Sequence, residues 1–226
     1  MATDSFEPMV VAIAGGHGKI GLLLTRALAE RGDRVLSLIR NPDQADHVAT
    51  AGGEAVVVDL ENSTTEQLKG AIADADAVVF AAGAGPGSGA ERKETMDYGG
   101  AVLLIEAAKH AGADRYVMIS AMSADADRDG DEVFDVYIRA KGRADDELAA
   151  SGLDYTIVRP GGLTDGEPKG RVQIATVLDR GEIPRADVAA VVAACLADPK
   201  TIGRTFEVIS GEDQIELALA RFAGLS

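Results

Sequence analysis

Short apolar runs recur along the chain: "MVVAIAG" (9–15), "RVLSLIR" (34–40), "EAVVVDL" (54–60), "DAVVFAAG" (76–83), "RYVMISA" (115–121), "DYTIVRP" (154–160) and "TFEVIS" (205–210). Each is too short for a helix, rich in Val and Ile, and continuous rather than alternating, which is the pattern of strands buried on both faces. Segments of helical period lie between them. "KIGLLLTRALAERG" closes on Gly32, "TTEQLKGAI" opens on a Thr cap, "GAVLLIEAAKHAG" closes on Gly112 and "DEVFDVYIRAKGRADDELAASG" closes on Gly152. Strand and helix alternate through most of the chain, so the predicted architecture is α/β, a doubly wound parallel β-sheet with helices on both faces. No repeat, low-complexity segment or linker breaks the pattern, and a length of 226 residues suits one domain spanning 1–226. In residues 161–187 Gly and Pro interrupt every period. An irregular stretch after a strand's carboxyl end is where a substrate pocket is expected.

Charge narrows the partners. With 37 acidic against 22 basic side chains the formal charge is −15. That opposes nucleic acid and anionic membrane surfaces, so an anionic ligand needs a local exception to the field. Such a surface also suits a high-salt cytoplasm. The acidic run "SADADRDGDEVFD" (123–135) alternates Asp125, Asp127 and Asp129 like a calcium loop, but Val136 stands where the twelfth-position Glu belongs, and no metal is expected. The single cysteine, Cys195 in "VAAVVAACLADP", allows no disulfide framework and reads as a small buried apolar residue in a reducing cytosol. "MATDSFEP" has neither a basic start nor a long apolar stretch, and no apolar run reaches the length of a membrane span. The expected setting is cytoplasmic, with a small-molecule substrate and a monomer or small homo-oligomer.

The first strand leads into "VAIAGGHGKIG". Gly15 would make a tight turn, Gly18 would let backbone N–H groups reach a pyrophosphate, and Gly21 would let the helix pack close to the sheet. Gly16, His17, Lys19 and Ile20 complete the loop. Placed after a strand and before a helix, the pattern points to a dinucleotide. The second strand separates the two nicotinamide cofactors, since an NAD site wants an acid at its end and an NADP site a cation. Here it ends "LSLIRNP", with Arg40 and no acid, which favours NADP over NAD; His17 and Lys19 would add positive potential. Asp59 and Leu60 are placed to meet the adenine, and Ala81, Ala82 and Gly83 to line the far side of the cofactor.

In this order the motifs "AGGHGKIG", "IRNP", "VVVDL", "AAGAG", "DYGGAVLLIEAAKHAGADRYVMISAMSA", "YIRAK", "LDYTIVRPGGLTD" and "RADVAAVVAACLADP" resemble the atypical short-chain dehydrogenases/reductases. The resemblance is to the group of NmrA-like and NAD(P)-binding flavin- or biliverdin-reductase-like proteins, and covers nearly the whole chain. It implies a Rossmann fold, a bound NAD(P), often NADP, and reduction of a carbonyl or related acceptor. It also implies site residues: Tyr137 and Lys141 match the family's Y-x-x-x-K, and Ser120 or Ser123 matches its serine, with Ser120 favoured by its place at a strand end. Lys141 would also hold the nicotinamide ribose, and Pro160, Gly161, Gly162 and Leu163 would face the carboxamide. One departure is plain: the loop "AAGAG" has no Asn for the family's proton relay, and Asp97 begins "DYGG" instead.

A tyrosine of ordinary pKa, about 10, is a poor acid–base group at neutral pH. An adjacent ammonium is expected to pull it down, so that Tyr137 serves as general acid/base while a serine hydroxyl fixes the carbonyl oxygen. On a helix Val133, Val136, Tyr137, Ala140, Ala144 and Leu148 share a stripe, with Lys141 one turn beyond Tyr137. The expected activity is hydride transfer between nicotinamide and a small carbonyl or conjugated acceptor. A non-catalytic redox sensor and an NAD(P)-dependent epimerase or isomerase are the alternatives. A sensor would not need both Tyr137 and Lys141, and a nucleotide-sugar epimerase normally carries a larger carboxyl-terminal substrate region.

Overall fold

The computed structural model describes residues 7–85 and 87–224, so most of the "MATDSFEP" stretch lies outside the described residues. The strands are β1 (Val10–Ala14), β2 (Arg34–Ile39), β3 (Glu54–Val57), β4 (Ala77–Phe80), β5 (Arg115–Ile119), β6 (Asp154–Pro160), β7 (Gly162–Thr164), β8 (Arg171–Ala175), β9 (Glu182–Pro184), β10 (Arg204–Ser210) and β11 (Asp213–Gln214). The helices are α1 (Lys19–Arg31), α2 (Ala45–Thr50), α3 (Thr65–Ala71), α4 (Ala90–Arg92), α5 (Ala101–Ala111), α6 (Val133–Ala150), α7 (Arg185–Ala197) and α8 (Ile215–Gly224). A π-helical stretch, Lys93–Gly100, joins α4 to α5.

The main sheet runs β3-β2-β1-β4-β5-β6-β10-β8-β11, parallel from β3 to β10, with β8 and β11 antiparallel at one edge. Strand order reverses between β1 and β4, the switch point where ligands of open α/β sheets bind. Continuous apolar strands are required because both faces are covered. Val11 and Ile13 of β1 join Leu24 and Leu28 of α1 and Val191 of α7 on one face, while Ala12 and Ala14 join Leu68, Leu104 and Leu148 from α3, α5 and α6 on the other. Each fully buried Leu contributes roughly 1.5–3 kcal/mol. Helix ends follow the sequence signals: Gly32 and Gly112 are left-handed C-caps, and Thr64 with Gln67 forms a capping box. Cys195 is buried, and its thiol is pushed up to about 12 chiefly by burial.

Two elements differ from expectation. Residues 161–187 are not irregular throughout: β8 extends the main sheet, and β7 pairs with β9 in a separate two-stranded sheet. These strands have only three to five residues, too short to stand out as apolar runs. The polar stretch "KETMDYGG" is helical, because its buried Met96 and Asp97 pack beneath α6 while the widened π turns absorb the two glycines. Among the described residues no helix is long and apolar enough to cross a membrane.

Candidate active site

The loop between β1 and α1 is shaped by steric limits. Gly15 has φ +82°, and a Cβ there would lie 2.8 Å from Ala82, on the strand-end loop of β4. A Cβ on Gly21 would lie 2.3 Å from the Gly15 carbonyl oxygen, so α1 can approach the turn only with glycine at that position. Gly18 is the N-cap; no side chain caps the helix, and its first turn holds no acid. This 13-residue helix therefore presents free N–H donors and the positive end of its dipole to the switch point. A dinucleotide pyrophosphate fits that cradle. Lys19 reaches across it to Asp165 at 2.5 Å, and Arg185 shares the same carboxylate at 2.7 Å.

At the adenosine end, exposed Arg40 follows β2 and lies 3.5 Å from Glu61. Arg92, unnoticed in the sequence, holds the same carboxylate at 3.1 Å. Burial pushes Glu61 up, but the hydrogen bonds from Arg92 and Thr95 outweigh it and hold the carboxyl below its usual range. Two guanidiniums thus share one carboxylate, and both also act on Asp59, so the cluster is balanced in charge. Asp59 and Leu60 lie just beyond β3 rather than within it, and Asp59 accepts from Asn62 and the Glu61 N–H. His17 stacks on His47, with Nε2 to Nδ1 at 2.7 Å.

A cleft of about 760 Å³ runs from Gly18, Lys19 and Ile20, past Ala81, Ala82 and Gly83, to Ser120, Tyr137 and Lys141. Beyond Tyr137 a second cavity of about 870 Å³ is lined by Ser123, Arg128, Pro160, Gly161, Gly162 and Arg180, and shares Ser120, Phe134, Tyr137, Leu163 and Arg185 with the first. Tyr137 therefore stands at the junction. The sequence stripe on α6 splits here: Val136, Ala140, Ala144 and Leu148 enter the core, while Val133 and Phe134 are exposed at the cleft wall.

Lys141 is only 3 % exposed. Its Nζ lies 3.3 Å from the buried Asp97 Oδ1 and donates to the Ile119 carbonyl oxygen at 3.3 Å. The ammonium is thus largely neutralised. Burial pushes the Tyr137 phenol above its ordinary 10.0, Lys141 opposes the rise, and Asp97 and Asp145 add to it. Lys141 lowers the phenol as expected, but the net shift is upward, because the sequence did not reveal the desolvation or the two carboxylates. Tyr137 is a protonated phenol at neutral pH.

The serines also depart from the simple assignment. Ser120 sits just after β5, and its hydroxyl donates to Asp145 Oδ2 at 2.9 Å, an oxygen that also accepts from Arg159 Nε at 2.8 Å. A hydroxyl has one proton, so Ser120 offers the cleft its lone pairs while Asp145 is ionised. Asp145 is buried, and burial above all pushes it up to about 6 despite Arg159 and Ser120. Ser123 is exposed, with φ +62°, and its N–H donates to the buried Glu207 at 2.9 Å. Of the two, Ser120 shares both cavities with Tyr137, and Ser123 only the outer one. The described residues contain no cluster of three or more His, Cys, Asp or Glu able to hold a metal.

Residues 15–199 match the family model described as NAD(P)H-binding. The chain belongs to this NAD(P)H-binding family. It is 38% identical over 214 residues to the uncharacterized sugar epimerase YhfK of Bacillus subtilis, covering 94% of this chain and 100% of that protein. A solved structure of a candidate NAD-dependent epimerase/dehydratase from Bacillus halodurans is similar with a TM-score of 0.88 at 37% identity, covering 95% of this chain and 100% of that one. The oxidoreductase ylbE of Lactococcus lactis is similar with a TM-score of 0.81 at 25% identity, covering 94% of this chain and 96% of that one. NAD(P) binding and an oxidoreductase- or epimerase-like class follow for this family member.

Proposed function

We propose that the protein is an NADP-preferring oxidoreductase of the short-chain type that reduces a small carbonyl or conjugated acceptor in the cytosol. The observation that carries this reading is Tyr137, a protonated phenol at the meeting point of the glycine-loop cleft and the outer cavity, with Lys141 one helical turn away. When bound, the nicotinamide supplies the hydride. Tyr137 donates its proton to the substrate oxygen as negative charge develops there, and the Lys141 ammonium favours the phenolate left behind. Ser120, its proton committed to Asp145, turns its lone pairs toward the phenol and so orients the Tyr137 hydroxyl. Asp97 takes the place of the absent relay asparagine as the group that holds Lys141. Arg40 and Arg92 would hold a ribose 2′-phosphate, and Pro160 to Leu163 the carboxamide. Lys93, whose Nζ lies 5.1 Å from the Tyr137 ring centroid, closes the cleft on the side of Gly85.

NADPH oxidation measured over quinones, flavins, aldehydes and ketones tests the reading. Turnover of one class with NADPH preferred over NADH is expected; no oxidation of any class, with no NADPH-induced rise in melting temperature, overturns it. An epimerase is the second reading, favoured by the names of the two relatives at 38% and 37% identity. It predicts a cofactor that stays bound and is not consumed while a nucleotide sugar changes configuration.

A further inference from the structure

Asp145 uses its two carboxylate oxygens unequally. Oδ2 accepts from the Ser120 hydroxyl at 2.9 Å and from Arg159 Nε at 2.8 Å, whereas Oδ1 is buried and accepts no hydrogen bond among the described residues. Asp145 is 2 % exposed and Ser120 4 %, so both bonds are shielded from water. Burial of the unpaired oxygen penalises the ionised form and pushes the carboxyl up to about 6, against Arg159 and Ser120. Few charges compete for it. Arg159 reaches it from β6 and Lys141 stands one turn back on α6, both favouring the carboxylate. In the π-helical stretch that packs on α6, Asp97 is held by Lys141 and Glu94 by Arg143, and on α5 Glu106 is held by Lys109. Tyr137, two turns back on α6, feels the Asp145 charge. Ser120 lines the cleft with Tyr137, and its single proton is the one that Asp145 holds.

We propose that Asp145 is a positioning residue that controls the Ser120 proton: as the carboxylate it draws that proton out of the cleft, and as the neutral acid it releases it to the substrate oxygen. The proposal rests on the hydride-transfer reading and deepens it. A hydrogen bond to a carboxylate is roughly twice as strong as one to a neutral oxygen. A neutral Asp145 therefore loses the hydroxyl to a substrate oxygen on which negative charge is developing, whereas an ionised Asp145 keeps it and repels that charge. The protons balance without a further donor. The substrate carbon takes the hydride and its oxygen keeps the Tyr137 proton, while Ser120 and Asp145 retain their own. Reduction is thus faster in the acid form of Asp145, where both Tyr137 and Ser120 donate to one oxygen.

The first test needs no substrate. Carbon-13 NMR of the full chain, labelled at its aspartate carboxyls, follows the Asp145 titration, with Asp145→Asn and Asp145→Glu to identify the signal. Ser120→Ala removes the bond that favours the carboxylate, so the midpoint should rise by about one unit. An unchanged midpoint, or a wild-type value near the ordinary aspartate's, about 4, overturns the proposal. The second test is single-turnover NADPH oxidation with the best acceptor found, at about pH 5 and about pH 8, on either side of the Asp145 value. The wild-type rate should fall about tenfold between them. Asp145→Asn, which cannot ionise, should stay within about twofold of one rate, and Ser120→Ala should be slower and lose most of the pH dependence. A flat wild-type profile, or a fall that persists in full in either variant, overturns the proposal. If the midpoint moves as expected and no acceptor oxidises NADPH, the coupling of Ser120 to Asp145 stands and the hydride-transfer reading fails.

Discussion

Lys141 serves the fold as well as the site, and the two contributions can be separated. Its ammonium and the Asp97 carboxylate are 3.3 Å apart, with side chains only 4 % and 2 % exposed. Replacing Lys141 with Met leaves the carboxylate buried, accepting from the Ala84 N–H at 3.2 Å. Breaking a buried pair on one side costs about 3–5 kcal/mol. For a chain of this size that lowers the melting temperature by roughly 6–20 °C, at about 2–4 °C per kcal/mol. Adding Asp97→Asn removes the orphaned charge and keeps an acceptor for Ala84, so the double variant should recover about 2–4 kcal/mol of the loss. Urea midpoints of the wild type, both single variants and the double variant, without cofactor, give the coupling energy. A coupling below about 0.5 kcal/mol would refute the buried-pair argument. The double variant also gives the cleanest view of catalysis, because its turnover reports the missing ammonium in a recovered fold.

Three other outcomes follow from the geometry. Arg40→Glu should lower the NADP-to-NAD affinity ratio by about tenfold or more, as the loss of a charge-assisted phosphate contact implies, and an unchanged ratio would show that Arg40 does not meet the 2′-phosphate. Gly18→Ala, whose Cβ would meet only the Gly15 carbonyl oxygen at 3.1 Å, should fold yet lose most of the NADP-induced thermal shift; Gly21→Ala, at 2.3 Å, should lower stability itself. Asp145 is raised from 3.8 to about 6, so between those values the folded chain holds a proton that the unfolded chain has released. Its contribution is therefore present below about pH 4 and lost as pH rises through 6. Relative to Asp145→Asn the wild type should lose about 3 kcal/mol between pH 4 and 7, at about 1.4 kcal/mol per unit, and a pH-independent difference would reject the raised value.

What the sequence reveals here is whatever depends on neighbours in the chain. Gly15, Gly18 and Gly21 are legible because a close turn excludes every other side chain, and the buried parallel strands because both faces must be apolar. Tyr137 and Lys141 are legible as a spaced pair on one helix. Their electrostatics are not: Asp97 comes from the π turn, and although Asp145 lies on α6 itself, the burial that decides both shifts is set by the packing of the whole fold. Glu207, which holds Ser123, is 84 residues away from it. Arg128, Arg180 and Arg185 come together only because the loop after β5 and the segment around β9 fold over the same strand ends. The π stretch was hidden since "KETMDYGG" has turn composition, and its helicity is imposed by packing.

The central claim is that Tyr137 delivers the proton that accompanies hydride transfer. It is tested most directly by single-turnover NADPH oxidation with the best acceptor found, comparing wild type with Tyr137→Phe at saturating cofactor. The phenylalanine variant should react about a hundredfold or more slowly, with NADP affinity changed less than about twofold. A phenylalanine variant that turns over at the wild-type rate would contradict it.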